Sequence, residues 1–215
     1  MSRTFISGTR RWVVKIGSSI LTNRGLGLDR GAIDSWVRQI DYLINRGIEV
    51  VLVSSGAIAE GMVRLNWTER PKKIAELQAS AAVGQTGLVQ AYQESFRNLH
   101  RNSAQILLGH DDIANRQRYL NARSVLVTLL KHGIVPIANE NDTVSTEEIR
   151  FGDNDCLAAM VANLIDADLL VILTDKDGLY SADPAKETSA KLISEASCDS
   201  QDLDELVGET LSKIG

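Results

Sequence analysis

Four short apolar runs constrain this chain more than any other feature. They are Trp12 to Ile16 (WVVKI), Ile48 to Val53 (IEVVLV), Ile134 to Ala138 (IVPIA) and Leu169 to Leu173 (LLVIL). Near-continuous β-branched and aliphatic runs of this length mark strands buried on both faces, as in a parallel sheet covered by helices. The stretches between them are long enough for helices. Asp29 is placed to cap a helix with Ile33, Trp36, Val37, Ile40, Leu43 and Ile44 on one face, and Gly47 stands just past its end. Ser54-Ser55-Gly56-Ala57 turns out of the second run into a helix of small residues. Pro71 suits the first turn of a longer helix, which passes through a small-residue stretch (Ala79 to Gly87) towards Leu99. Close helix packing or an oligomer contact explains that stretch.

Gln105 to Leu108 is a further strand candidate, and Asn121 to His132 reads as a helix closed by Gly133. Pro136 argues that its strand is short or near a sheet edge, because proline donates nothing to a ladder. Glu148 to Phe151 reads as half a hairpin, Asp153 to Ile165 as a helix and Lys191 to Ser194 as a short strand. Asp202 opens a last amphipathic helix. Strands separated by helices imply βαβ crossovers. The expected fold is α/β, a three-layer αβα sandwich with a mainly parallel sheet. No linker or repeat divides residues 1–215.

Composition narrows the function. Aromatic residues are 5% of the 215, so Val, Ile, Leu and Ala must build the core. No apolar run reaches the roughly 18 residues of a membrane span. A net charge of −5 argues against nucleic acid as the main partner. Cys156 and Cys198 are too far apart for a metal knuckle and define no disulfide framework. Met1 to Gly8 lacks the apolar stretch of a signal peptide. The expected compartment is a reduced cytoplasm, where the sequons at Asn66 and Asn141 carry no meaning.

In open α/β sheets ligands bind beyond the carboxyl ends of the strands. All four runs end there in polar residues. Lys15 precedes Gly17-Ser18-Ser19, where a glycine turn, serine hydroxyls and a lysine suit phosphate, although a strand simply ending with Lys15 at its rim would look the same. Ser55, Gly56 and Ala57 stand where a helix N-terminus offers unpaired N–H groups to a carboxylate or phosphate, or where Ser is an ordinary cap. Glu140-Asn141-Asp142 and Asp153-Asn154-Asp155 pair two acidic clusters, suited to an ammonium group or to lysines and Mg²⁺ near phosphates. Asx-turn and cap roles are the plain alternatives. Thr174-Asp175-Lys176-Asp177-Gly178, then Tyr180, suits an adenine and ribose pocket with Tyr180 as a wall, or a glycine turn with a buried tyrosine. A Gly-Lys pair, HExxH, GxSxG and CxxC are absent, and Gly25, Gly27 and Gly31 miss the GxGxxG spacing.

VVKIGSS, VLVSSGAIAEG, PIANENDTV, FGDND and LLVILTDKDGLYSADP, in that order, closely resemble the amino-acid kinase family in its glutamate-specific branch. The resemblance runs from about Arg11 to Gly215. It implies transfer of the ATP γ-phosphate to the side-chain carboxylate of L-glutamate at the start of proline synthesis. Lys15 then contacts the phosphates and stabilises the transferring group, with Gly17 and Ser18 in its phosphate-facing turn. Ser55, Gly56, Ala57, Asp142 and Asn154 hold glutamate, and Asp155 orients catalytic lysines. Thr174, Asp175, Gly178 and Tyr180 belong to the nucleotide loop. Mg²⁺, feedback inhibition by L-proline in the glutamate site and a homo-oligomer are also implied. A non-catalytic glutamate- or proline-binding sensor is the alternative.

The family's glycine-rich GTGGMxTK stretch is expected where Ser212-Lys213-Ile214-Gly215 stands. The resemblance therefore implies a kinase domain continuing past residue 215, sometimes followed by an RNA-binding-like PUA domain. Weak or no turnover is expected from the 215 residues alone.

Overall fold

The computed structural model describes residues 3–22, 27–144 and 154–197. The expected hairpin at Glu148 to Phe151, the Asp153 cap, Gly25, Cys198, the helix from Asp202 and the stretch from Ser212 lie outside the described residues. Two compact units are present, one of Thr4–Leu173 and one of Met1–Arg3 with Thr174–Gly215.

The larger unit carries a five-stranded sheet, all parallel: β1 (Arg11–Ile16), β2 (Glu49–Ser54), β3 (Ser103–Leu108), β4 (Val135–Glu140) and β5 (Leu169–Leu173), in the order β3-β4-β2-β1-β5. Its helices are α1 (Ser18–Leu21), α2 (Arg30–Ile44), α3 (Ala57–Arg64), α4 (Ile74–Asn98), α5 (His110–Ala114), α6 (Arg116–Lys131) and α7 (Asp155–Leu164). A 3₁₀ turn, Arg3–Gly8, precedes β1.

Strand alternation divides the core in two. Val14, Ile16, Val50, Leu52, Val135 and Ile137 face α2 and α4, meeting Ile33, Val37, Ile40, Leu88, Tyr92 and Phe96. Val13, Val51, Val53 and Ala138 face the other way, against Leu126 and Leu130 of α6 and Leu157, Val161 and Leu164 of α7. The helices thus cover both faces of an α/β sheet.

Local signals explain most boundaries. Asp29 caps α2 by accepting from Ala32 N (2.9 Å). The helix expected from Pro71 begins at Ile74 instead, with Lys73 as its cap. Helix α6 begins five residues before Asn121, because Asn115 accepts from the N–H groups of Gln117 and Arg118. Strand β4 is interior and buried along its whole length, not at an edge. Pro136 is tolerated because pairing with β2 runs over Leu52↔Ile137 and Val53↔Ala138, past the missing N–H. Strand β5 is the less buried strand: β1 is its one neighbour among the described residues, and Ile172 is exposed.

Helices α3 and α4 pack backbone to backbone. A Cβ on Gly84 would lie 1.8 Å from Ala57 O and 2.4 Å from Gly61 N, and one on Gly61 would lie 1.7 Å from Ser80 O. Gly84→Ala must therefore separate the two helices and is expected to lower unfolding stability by about 2 kcal/mol or more, in the range of overpacked cores. Gly8→Ala, with nothing within 4 Å of the new methyl, is the control in urea denaturation.

The start of β1 is tied to β5 by Asp168, whose Oδ2 accepts from Arg10 N (2.7 Å) and Arg11 N (2.8 Å) while its own N–H donates to Arg11 O (2.8 Å). Those backbone donors hold its carboxyl below the ordinary Asp range, and Arg123 does the same for Asp166. The sign follows from the lowered native values. Their stabilisation is whole above the unfolded value near pH 4 and is lost as pH falls through the native ones. Asp168→Asn is expected to flatten the acid limb of stability against pH, read by thermal unfolding between about pH 5 and 2.

Candidate active site

A parallel sheet brings the carboxyl ends of all its strands to one edge. The connection after β2 leads to α3 and α4 on one face, and the connection after β4 leads to α7 on the other. Connections leaving neighbouring strands to opposite faces open a crevice between them. Asn154, the residue before α7, bridges that crevice. Its Nδ2 donates to Ser54 O at the end of β2 (2.8 Å) and to Asn139 Oδ1 near the end of β4 (2.7 Å). Asn139 Nδ2 donates in turn to Gln85 Oε1 on α4 (2.7 Å). Ser54 Oγ lies 3.0 Å from the hydroxyl of Tyr92, also on α4. Burial raises the Tyr92 phenol far above its ordinary pKa, against the opposing hydrogen bond to Ser54, so it stays neutral.

Lys15 lies on the β1 face that carries Val13, which α7 covers. Buried to 6% relative exposure, its Nζ sits 2.6 Å from Asp155 Oδ1 in the first turn of α7. The helix N-terminus favours the Asp155 charge, and Asp155 compensates the buried ammonium. Gly17 directly follows the last residue of β1, Ile16. Its N–H donates to Leu173 O (3.0 Å), and a Cβ there would lie 3.2 Å from that oxygen and 3.7 Å from Lys15 Nζ. Ser18 and Ser19 are exposed in the short helix α1.

Ser55 is buried, with its N–H donating to Ile16 O (3.2 Å). Gly56 adopts φ +98°, the left-handed region that suits glycine, and so starts α3 at Ala57. A Cβ on Gly56 would meet the side chains of Leu21 (3.2 Å), Thr22 (3.6 Å) and Leu28 (3.7 Å). That cluster is tied to α3 by the buried Glu60, which accepts from Leu28 N (3.3 Å) and Arg64 Nε (2.8 Å). Asp142 stands in the turn after β4, whose preceding Asn141 donates its N–H to Leu108 O (3.0 Å) and accepts from Thr143 Oγ1 (2.7 Å).

Thr174, Asp175, Gly178 and Tyr180 belong to the second unit, a small hairpin of β6 (Leu179–Tyr180) and β7 (Leu192–Ile193). Thr174 Oγ1 donates to Asp175 Oδ1 (3.2 Å), and the Tyr180 hydroxyl donates to Asp177 Oδ2 (3.3 Å). Partial burial, then Asp177, raises the Tyr180 pKa. Gly178 at φ +152° brings Leu192 to 3.2 Å of where its Cβ would be.

Within the sheet unit the fold brings together Lys15, Asp155, Asn154, Ser55, Gly56 and Ala57, as strand ends or first turns of helices. Sequence reasoning does not single out Gln85, Tyr92 or Glu60. Their roles come from partners on other elements, Asn139, Ser54 and Leu28, which no local pattern marks. Among the described residues, no group of three His, Cys, Asp or Glu side chains is placed to hold a metal.

The model of the amino acid kinase family matches residues 10–213. The chain belongs to the amino acid kinase family. Relatives include proteins named glutamate 5-kinase from Pseudomonas syringae pv. syringae (59% identical over 99% of this chain), Stutzerimonas stutzeri (58% over 99%) and Nitrosospira multiformis (60% over 96%). The chain spans 56–57% of the length of these relatives. No helix among the described residues is long and apolar enough to cross a membrane. In this amino acid kinase chain the Lys15–Asp155 pair is asymmetric, since the lysine is buried and the aspartate side chain is 39% exposed. Asp155→Asn removes the charge 2.6 Å from a buried ammonium and should cost about 2–3 kcal/mol, whereas Lys15→Met leaves a carboxylate at a helix N-terminus and should stay within about 1 kcal/mol of wild type. Urea titration of both variants checks the order.

Proposed function

We propose that this chain carries the amino-acid half of an enzyme that transfers the γ-phosphate of ATP to the side-chain carboxylate of L-glutamate, giving L-glutamyl 5-phosphate and ADP. The observation that carries the reading is the buried Lys15 ammonium, held by Asp155 at the crevice edge beside the start of α3 and the Asn154 amide. The names of the close relatives support the same substrate.

A carboxylate oxygen attacks the γ-phosphorus, and the bond to the β–γ bridging oxygen breaks with its electron pair leaving on ADP. The nucleophile is ionised at neutral pH, so no general base is needed. What the protein must supply is alignment and positive charge against two anions. Lys15 supplies charge at the transferring group. Asp155 holds that ammonium in place. Ser55, the α3 N-terminus at Gly56 and Ala57, Asp142 and Asn154 offer donors for carboxylate and acceptors for ammonium. Mg²⁺ would be carried on the nucleotide phosphates. The hairpin residues Thr174, Asp175, Gly178 and Tyr180 serve the nucleotide. L-Proline would occupy the glutamate pocket as an inhibitor.

Hydroxylamine trapping of the acyl phosphate, with ADP release measured in parallel, tests the reaction in the protein that contains this chain. Lys15→Ala is expected to lower kcat by about 100-fold with the glutamate KM little changed. Asp142→Ala is expected to weaken glutamate and proline together and spare ATP. Proline binding with no Mg-ATP binding in calorimetry would favour the sensor reading instead.

A further inference from the structure

The relay from Ser54 to Gln85 has a direction that chemistry fixes at one end. Ser54 O is a backbone carbonyl and can only accept, so the Asn154 amide must present nitrogen to it. The same nitrogen donates to Asn139 Oδ1 (2.7 Å), which occupies both Asn154 N–H bonds. Asn154 Oδ1 is therefore the atom left for another partner. Asn139, meeting Asn154 with its oxygen, must turn its own nitrogen the other way, where Gln85 Oε1 accepts it at 2.7 Å. Asn139 and Asn154 are 2% and 7% exposed, so water does not readily replace a lost partner. Gln85 Nε2 is buried and has no hydrogen-bond partner among the described residues, so the oxygen is the Gln85 atom engaged in the relay. The neighbouring Gly84, against Ala57, holds this turn of α4 at its distance from the crevice.

We infer that Gln85 is a positioning residue: by accepting from Asn139 Nδ2 it keeps the Asn139 oxygen on Asn154 and so, together with Ser54 O, holds the Asn154 amide in the orientation that leaves Oδ1 for the amino-acid substrate. This rests on the reading of Asn154 as a glutamate contact. Without the Gln85 acceptor, the Asn139 amide is free to invert, and an inverted Asn139 sets nitrogen against the Asn154 nitrogen.

The test follows the side-chain amide protons of Asn139 and Asn154 by ¹⁵N NMR in the ligand-free chain, alongside calorimetry with L-glutamate. Gln85→Met keeps the length and removes the acceptor. It is expected to speed exchange of both side-chain amides, and to weaken glutamate, by about tenfold each, the scale of one buried hydrogen bond. In an Asn139→Ala background the same change should alter glutamate binding less than about twofold, because the residue it acts through is gone. Gln85→Glu keeps an oxygen towards Asn139 and should retain slow Asn154 exchange, whatever its new charge does to glutamate. Unchanged Asn154 exchange in Gln85→Met, fast exchange in Gln85→Glu, or an equal loss of affinity in both backgrounds overturns the inference. Wild-type chain that binds no glutamate would count against the proposed function, while the exchange data would still decide the role of Gln85.

Discussion

The crevice between β2 and β4 is the constraint on which the rest of the site depends. Two adjacent parallel strands send their chains to opposite faces, so ladder pairing between them runs only over Leu52↔Ile137 and Val53↔Ala138. Beyond that point Ser54 O and the Asn139 side chain are buried and need donors. One residue, Asn154, meets both. Because Asn154 is also the cap residue of α7, satisfying the crevice fixes where that helix starts, and with it the position of Asp155.

Placement of Asp155 settles the state of Lys15. A lysine on the covered face of an interior strand is untenable alone, since desolvating an ammonium without a partner costs several kcal/mol. With Asp155 2.6 Å away it becomes a fixed positive charge at the sheet edge. The proposed chemistry needs that arrangement, because a carboxylate that already carries its charge calls for cations and donors rather than a base.

Much of this architecture is legible in the amino-acid sequence alone. The four apolar runs are β1, β2, β4 and β5, and Asp29 caps its helix. The polar residues after β1, β2 and β4 fall at one edge because parallel strands leave no choice. The misreadings have physical causes. Pro136 suggests an edge because proline forbids a ladder bond, yet the pairing on the β2 side runs past it. Leu169 to Leu173 reads as a strand buried on both faces, but composition is blind to neighbours, and β5 lies beside β1 alone among the described residues. Pro71 and Asn121 misplace helix starts: α4 begins at Ile74, and α6 begins at Arg116 behind the Asn115 cap. Gln85 and Tyr92 carry no signal, since their roles come from partners 54 and 38 residues away along the chain.

Those distant partners meet because of the glycines. The stretch from Ala79 to Gly87 reads as a packing surface, and it is one: Gly84 touches the backbone of Ala57, and a Cβ on Gly87 would fall 2.5 Å from both Arg64 and Glu60. Packing at that distance is also what lets Gln85 reach Asn139 and Tyr92 reach Ser54. A larger residue at Gly84 would disturb the core and would also withdraw the two polar groups that α4 extends into the crevice. Small residues and buried polar residues on α4 are thus parts of one device, in which backbone proximity to α3 places the hydrogen bonds that orient the site. The function of this helix lies in how closely it approaches, and at Gly84 even one added methyl would forbid that approach.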